Sequence, residues 1–359
     1  MNDPMAHRAA NAACARLIGP GAPIAPQPPH APGHDAVTPP ARRRLALSLG
    51  DPNGIGPEIA LKALSALDAE AQQRITVFGP WAALERAAAA LGLLPLLSAL
   101  RHVEAGRLPP QALQPGRIDG AAGASALASA TAALAACHAG VVDAVVACPL
   151  HEAAIQRAGI AFSGYPSLLA GVCEVPQDTV FLMLLGGGLR IVQVTAHLGV
   201  RQALDQLTPQ RIAAAARAGT RICALLGVPA PRIGLFGVDP QACGDGPCGA
   251  QDAAIVAPAA AALRAEGLWV DGPLGADELL EQRSHDLYVA MLHEQGHIPV
   301  RLLAPYSYSA LSIGAGALLA SVGHGAAMDI AGRGKADPRA LLHTIALVSG
   351  DGIRYKINS

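Results

Sequence analysis

The run Gly50-Asp51-Pro52-Asn53-Gly54-Ile55-Gly56-Pro57-Glu58 is the first stretch of the chain whose composition suits binding chemistry. Its glycines allow main-chain N–H groups to approach a ligand closely. Pro57 suits the first turn of a helix whose N-terminus would face that ligand. The run is not a G-x-G-x-x-G fingerprint, and as a bare pattern it serves equally well as a structural turn. A second glycine-rich run, from Gly323 to Pro338, carries His324, Asp329, Lys335 and Asp337 among Gly325, Gly332 and Gly334. His151 stands where an apolar run meets a helical pattern, a place that fits an active-site contact and a plain helix terminus alike. Cys148, beside Pro149, has no neighbour that would activate a thiolate and reads as a small buried side chain.

The elements that must position these residues alternate. A strand over Leu45–Leu49 precedes a helix from Pro57, and a strand over Ile75–Phe78 precedes a helix from Trp81. Such alternation predicts βαβ units and a mainly parallel sheet. Further apolar runs at Ala144–Ala147, Val180–Leu185, Leu189–Val194 and Ile233–Phe236 read as strands, and Pro209–Leu226 as a helix. Gly186-Gly187-Gly188 predicts a hairpin turn between two of the strands. The stretch Ala122–Ala139 reads as packing. Residues 1 to about 41, with Pro26-Gln27-Pro28-Pro29 and Pro39-Pro40, have no apolar period and are expected to form a disordered Ala/Pro-rich extension.

At 359 residues with 52% hydrophobic but only 3% aromatic side chains, the chain is rich in Ala, Leu, Val and Gly, which suits helices packed on buried strands. The fold class is α/β. A formal net charge of −1 and the absence of a long Lys/Arg run exclude a nucleic-acid partner, and Arg42-Arg43-Arg44 reads as a solvated boundary. Seven cysteines, scattered and without a C-x-x-C pair, read as reduced cytosolic thiols. With no secretory signal and no uninterrupted apolar run of bilayer length, a cytoplasmic protein without a membrane partner is expected.

The early and late glycine runs together resemble loops of the isocitrate and isopropylmalate dehydrogenase superfamily, in which the first borders the active site and the second wraps the NAD adenosine. Five further motifs are similar to those of the 4-hydroxythreonine-4-phosphate dehydrogenase family within it. They are Ala147-Cys148-Pro149-Leu150-His151, Ala158–Gly164, Thr195-Ala196-His197-Leu198, Asp239-Pro240-Gln241-Ala242 and His293-Glu294-Gln295-Gly296. The resemblance runs from about Leu45 to Ala346. It implies a two-lobed isopropylmalate-dehydrogenase-like fold with a cleft between the lobes. Lobe 1 would span about 42–140 plus 282–359 and lobe 2 about 141–281, in a homodimer. It also implies NAD held by His324, Asp329, Gly332, Lys335 and Asp337. One divalent metal, zinc first among the candidates, would sit on three positions that fall here at His197, Gln241 and His293, with His151 and His293 catalytic.

Gln241 departs from the family's third histidine. An amide oxygen is a weaker zinc ligand than imidazole, so metal binding should be weakened unless Cys243 or Asp245 moves in. The substrate contacts depart as well. A His-Thr pair of the family is replaced by Tyr165-Pro166, and its substrate-binding Lys, Asn and Arg correspond to Arg301, Ala310 and Leu319. A phosphate dianion needs several donors to offset its desolvation, so a phosphorylated substrate is disfavoured.

The stretch Phe162–Ala170 with Gln295-Gly296-His297-Ile298-Pro299 looks like the terephthalate cis-dihydrodiol dehydrogenases of the same family. This implies a small dicarboxylate substrate contacted by Tyr165 and Arg301. Oxidation of its ring hydroxyl would leave a β-keto acid that loses carbon dioxide. Two other readings stand beside it: the 4-phosphohydroxythreonine dehydrogenase of vitamin B6 biosynthesis, and a degenerate protein that binds NAD or a metabolite without turnover.

Overall fold

The computed structural model describes residues 42–239, 242 and 249–350. The expected extension over 1–41 and Gln241, Cys243 and Asp245 lie outside the described residues.

Eleven strands among these residues form one mixed sheet. In chain order they are β1 (Leu45–Ser48), β2 (Ile75–Gly79), β3 (Arg101–Glu104), β4 (Ala144–Ala147), β5 (Phe181–Gly186), β6 (Leu189–Gln193), β7 (Ile233–Phe236), β8 (Val270–Leu274), β9 (Leu287–Ala290), β10 (Ser309–Ile313) and β11 (Leu319–Val322). Their order across the sheet is β3-β2-β1-β4-β11-β10-β5-β6-β9-β7-β8. Only the pairings β11–β10, β10–β5 and β5–β6 are antiparallel. The other pairings are parallel, as the alternation of elements predicts. The strands β1, β2, β3, β4, β11 and β5 therefore run one way, and β10, β6, β9, β7 and β8 the other. The Gly186–Gly188 hairpin forms as expected, with Gly186 opposite Leu189.

Strands β1, β4, β7, β9 and β11 are buried at every position, because helices cover both faces of the sheet. Helix α1 (Gly56–Ala66) starts from the early loop with Pro57 in its first turn. Helix α2 (Gly120–His138), capped by the Asp119 carboxylate on the Ala121 N–H, buries Ala, Gly and Ser side chains. It is long and apolar enough by length and composition to cross a membrane, yet 56% of that apolar window is buried inside the molecule. Its small residues allow near backbone contact with the helix over Glu152–Arg157: a Cβ on Gly123 would stand 2.3 Å from the Ala154 carbonyl carbon.

Helix α3 (Tyr165–Val172) and helix α4 (Pro209–Leu225) follow, the latter capped by the Thr208 hydroxyl on the Arg211 N–H. Helix α5 (His293–Leu303) follows β9, and α6 (Arg339–Ser349) closes the described chain. The sequence reading misses α5 altogether, although this helix positions much of the site.

Candidate active site

The early loop is held by its own buried polar groups. Asn53 donates from Nδ2 to the carbonyls of Ala112 and Arg117, and its Oδ1 accepts from the Gln114 N–H at 2.7 Å. Gly50, at φ +66°, would place a Cβ 2.3 Å from the Pro149 carbonyl oxygen, so only glycine fits where β1 and β4 deliver their loops side by side. The Asp51 N–H donates to that same carbonyl at 2.9 Å. Early and late loops also touch, where the Ile55 N–H donates to the Ala326 carbonyl at 3.0 Å; the Gly116 N–H, ahead of α2, donates to the Asn53 carbonyl at 2.7 Å.

Asp51 is fully buried, and burial first of all pushes its carboxyl up to about 6, with the Asn53 N–H on Oδ1 opposing the shift. Its Oδ2, the Ser48 hydroxyl and His151 Nδ1 are buried without a hydrogen-bond partner among the described residues. All three lie in β1 or just after β1 and β4. The raised carboxyl has a definite sign for stability. Below about pH 4 Asp51 is protonated in both folded and unfolded chains and contributes nothing. As pH rises through the native value near 6, the folded chain carries a buried charge that the unfolded chain carries in water. In urea titrations, the stability of Asp51→Asn relative to the parent should therefore shift in the variant's favour by up to about 3 kcal/mol between pH 4 and pH 8. A pH-independent difference would show that Asp51 is not held neutral in the fold.

His197, just beyond β6, and His293, the first residue of α5, come together with ring centroids 5.6 Å apart and planes at 49°. Two imidazoles on one tetrahedral zinc have bonds of about 2.0–2.1 Å, which places their centroids roughly 5 to 5.5 Å apart, so the pair fits a shared cation. His293 Nδ1 lies 3.0 Å from Glu294 Oε1, an arrangement that holds the Nδ1–H and leaves Nε2 as a ligand atom. Burial first, and the neighbouring His293 second, lower the His197 pKa below the usual imidazole range, which favours the neutral, ligating form. Among the described residues no group of three His, Cys, Asp or Glu side chains is arranged to hold a metal. The third expected ligand, Gln241, lies outside them.

A third imidazole, not singled out from sequence, joins this pair. His297 stacks on His293 at 4.0 Å between centroids and 17° between planes. Its Nδ1 is 2.9 Å from Gln193 Nε2, the same amide nitrogen that donates to the His293 carbonyl at 3.2 Å. Burial first, then the charges of His293, His197 and Arg301, push its pKa down to about 4. The i, i+4, i+8 spacing of His293, His297 and Arg301 was the available signal, since such positions share one helix face. Gly296 and Pro299 between them conceal the helix.

The remaining candidate residues are placed as follows. Tyr165, at the start of α3, donates its hydroxyl to the Cys148 carbonyl at 2.7 Å. Its neighbour Gly164 borders His197, whose Nδ1 would lie 3.6 Å from a Cβ there. Tyr165 thus ties the β4 loop to the histidines. Cys148 is buried as expected, and burial raises its thiol far above the usual range. Arg301, exposed on α5, has no ion pair or side-chain hydrogen bond among the described residues. His151 caps the helix Glu152–Arg157 without a side-chain capping bond. His324 is half-buried, with Nδ1 3.1 Å from the Gly325 carbonyl, and Asp329, Gly332 and Lys335 are exposed. Asp337 is engaged by Arg339, whose Nε donates to it at 2.7 Å.

The late loop is latched to α1. Glu58 accepts from the N–H groups of Gly334 and Ala336 at 3.2 and 2.7 Å, and from Lys62 Nζ at 2.8 Å. Lys62 in turn donates to the carbonyls of Gly334 and Ala336 at 2.9 and 2.7 Å. Through Tyr308, whose ring packs on Gly323 and lies 6.5 Å edge-on to His297, the start of the late loop also reaches the histidines.

Imidazoles, glycine loops and a latched late segment assemble around the strand ends of a mixed sheet in an α/β protein. The chain belongs to the family described as pyridoxal phosphate biosynthetic protein PdxA, whose model matches residues 71–348. It is 60% identical over 306 residues to a 1,2-dihydroxy-3,5-cyclohexadiene-1,4-dicarboxylate dehydrogenase of a Comamonas species, covering 85% of this chain and 97% of that one. It is 36% identical over 322 residues to a 4-hydroxythreonine-4-phosphate dehydrogenase of Chromobacterium violaceum, covering 86% and 96% of the two chains. The crystal structure of a terephthalate 1,2-cis-dihydrodiol dehydrogenase from Burkholderia xenovorans superposes with a TM-score of 0.65 at 46% identity, over 85% of this chain and 97% of that one. These relatives are dehydrogenases, which places the chain among oxidoreductases.

Proposed function

We propose that the protein is an NAD- and divalent-metal-dependent dehydrogenase that oxidises a secondary alcohol next to a carboxyl-bearing carbon, with decarboxylation, and that its substrate is a terephthalate-type cis-dihydrodiol dicarboxylate. The observation that carries this reading is the approach of His197 and His293 at a spacing suited to one cation, in a chain 60% identical to a dehydrogenase of such a diol. His197 and His293 would hold the cation, with Gln241, Cys243 or Asp245 completing the set. When bound there, it supplies a lowered hydroxyl pKa and charge stabilisation for the enolate.

The overall balance is simple. The ring carbinol loses a proton from oxygen and a hydride from carbon to NAD, the neighbouring carboxylate leaves as carbon dioxide, and the resulting enolate takes up a proton to give a catechol. His151, whose Nδ1 is buried without a partner among the described residues, would exchange that proton. Arg301, free of internal partners, would take the carboxylate that is retained, in a two-pronged pair. The segment holding His324, Asp329, Gly332, Lys335 and Asp337 would cradle the cofactor.

A phosphorylated substrate, as named for the Chromobacterium relative, is less well supported. Ala310 lies on β10 against an apolar cluster, and Leu319 is buried in the core of β11, so neither position offers a phosphate a donor. The two-lobed reading, with about 42–140 plus 282–359 against 141–281, is a division of one continuous sheet, in which β4 pairs with β1 and β11, and β9 with β6 and β7. A homodimer is supported by exposed apolar side chains on and after α5, among them Ile298, Leu302 and Tyr306. The four described cysteines are free thiols, in keeping with a cytoplasmic setting.

The test is NADH formation from the cis-dihydrodiol of terephthalate, with one carbon dioxide released per NADH and dependence on a divalent metal. Turnover of 4-phosphohydroxythreonine with none of the diol would overturn the reading. Arg301→Ala should raise KM for the dicarboxylate about tenfold, the scale of one charge-assisted hydrogen-bonded contact, with a smaller change in kcat.

A further inference from the structure

We infer that His297 is a substrate-positioning residue whose Nε2–H holds the retained carboxylate of a dicarboxylate substrate, between the His197–His293 pair and Arg301. This rests on the dehydrogenase reading above. Gln193 fixes the imidazole tautomer. Its amide nitrogen is oriented by the His293 carbonyl, an obligate acceptor, at 3.2 Å, and the same nitrogen faces His297 Nδ1 at 2.9 Å. An amide N–H pointing at Nδ1 makes that atom the acceptor, so the proton of the neutral ring sits on Nε2. That outer nitrogen has no partner among the described residues and is not sealed in the interior.

The stacking geometry argues against a third metal ligand. Rings bound to one cation radiate from it, as His197 and His293 do at 5.6 Å and 49°. His297 instead lies almost parallel to His293 at 4.0 Å. A stacked ring with a fixed donor is suited to hydrogen-bond an anion beside the cation.

The helix supplies the spacing. His293, His297 and Arg301 stand one turn apart on α5, roughly 6 Å along its axis for each step. The His293 and His297 rings themselves stand closer than that rise, 4.0 Å between centroids, so a hydroxyl bound beside the first ring and a carboxylate meta to it fall against neighbouring rings of one stack. A substrate hydroxyl gripped at His293 would therefore bring its retained carboxylate beside His297, with Arg301 closing on it from the next turn.

His297→Phe keeps the stacked ring and deletes the N–H, while His297→Gln keeps a donor at a similar reach. In the metal-loaded enzyme, His297→Phe should raise KM for the terephthalate dihydrodiol about ten- to a hundredfold. KM for the corresponding benzoate dihydrodiol, which lacks the retained carboxylate, should change by no more than about twofold, and His297→Gln should recover most of the loss. Metal content by elemental analysis should match the parent in both variants. Equal loss on both substrates would reduce His297 to a structural role, and metal loss in His297→Phe would make it a ligand. Either result overturns the inference, as does an unchanged KM. If the parent turns over the diol while His297→Phe behaves like it, this inference alone fails. If the parent neither turns over the diol nor binds terephthalate by calorimetry, the functional reading falls and takes the inference with it.

Discussion

Replacement of His293 by alanine is expected to strip the protein of its divalent metal and to lower kcat by about a thousandfold, because several kcal/mol of charge stabilisation leave with the cation and each ~1.4 kcal/mol is worth a factor of ten. The side chain has two connections whose loss can be separated. Its ring faces His197 at 5.6 Å, and its Nδ1 faces Glu294 at 3.0 Å. Glu294→Gln weakens only the second, so metal affinity should fall by about 10- to 100-fold while the ligand itself remains. Elemental analysis and steady-state kinetics on the two variants distinguish the effects. Full metal content in the alanine variant would refute the assignment.

Glu58→Ala is expected to be the most destabilising of the polar substitutions, by about 3–5 kcal/mol, the usual cost of leaving a buried charge without its partner. The carboxylate is only 4% exposed and accepts from two N–H groups of the late loop as well as from Lys62. Its removal leaves those donors unmet and frees the segment Gly334–Ala336 from α1. The urea midpoint should fall accordingly, and KM for NAD should rise more than KM for the diol, since the loop held by Glu58 is the one assigned to the cofactor. A stability change below about 1 kcal/mol would show that the loop is anchored elsewhere.

The sequence makes the mainly apolar strands of the sheet easier to read than the short, mixed ones. Strands β1, β2, β4 and β7 are apolar runs set off by loops, and their reading differs from the structure by a residue at most. Strands β10 and β11, Ser-Ala-Leu-Ser-Ile and Leu-Ala-Ser-Val, are too short and too mixed to declare a period, and only their pairing with β5 and β4 makes them strands. Edge strand β3 is similarly obscure, with Arg and His among its four residues. Helix α5 is hidden by Gly296 and Pro299, two poor helix formers, and tertiary packing overrides that local preference. His197 and His293, whose rings the fold brings together, are nevertheless marked in the sequence by their flanking motifs. No local pattern singles out His297, because its partner Gln193 is far away in the chain and offers no pattern of its own. Glu58 stands in a recognisable loop motif, but its partnership with the late segment spans more than two hundred positions and has no local signature.

The seat of α5 on β6 has a consequence of its own. A Cβ at Gly296 would stand 2.8 Å from Gln193 Nε2, so the helix rests against the strand with nothing between them. His293 and His297, stacked on each other along such a helix, have little freedom to recoil from an anion beside them. On the proposed reading, the dipoles that water would have to reorient around a substrate carboxylate are instead set in place once, during folding, and that energy of reorganisation is removed from each turnover.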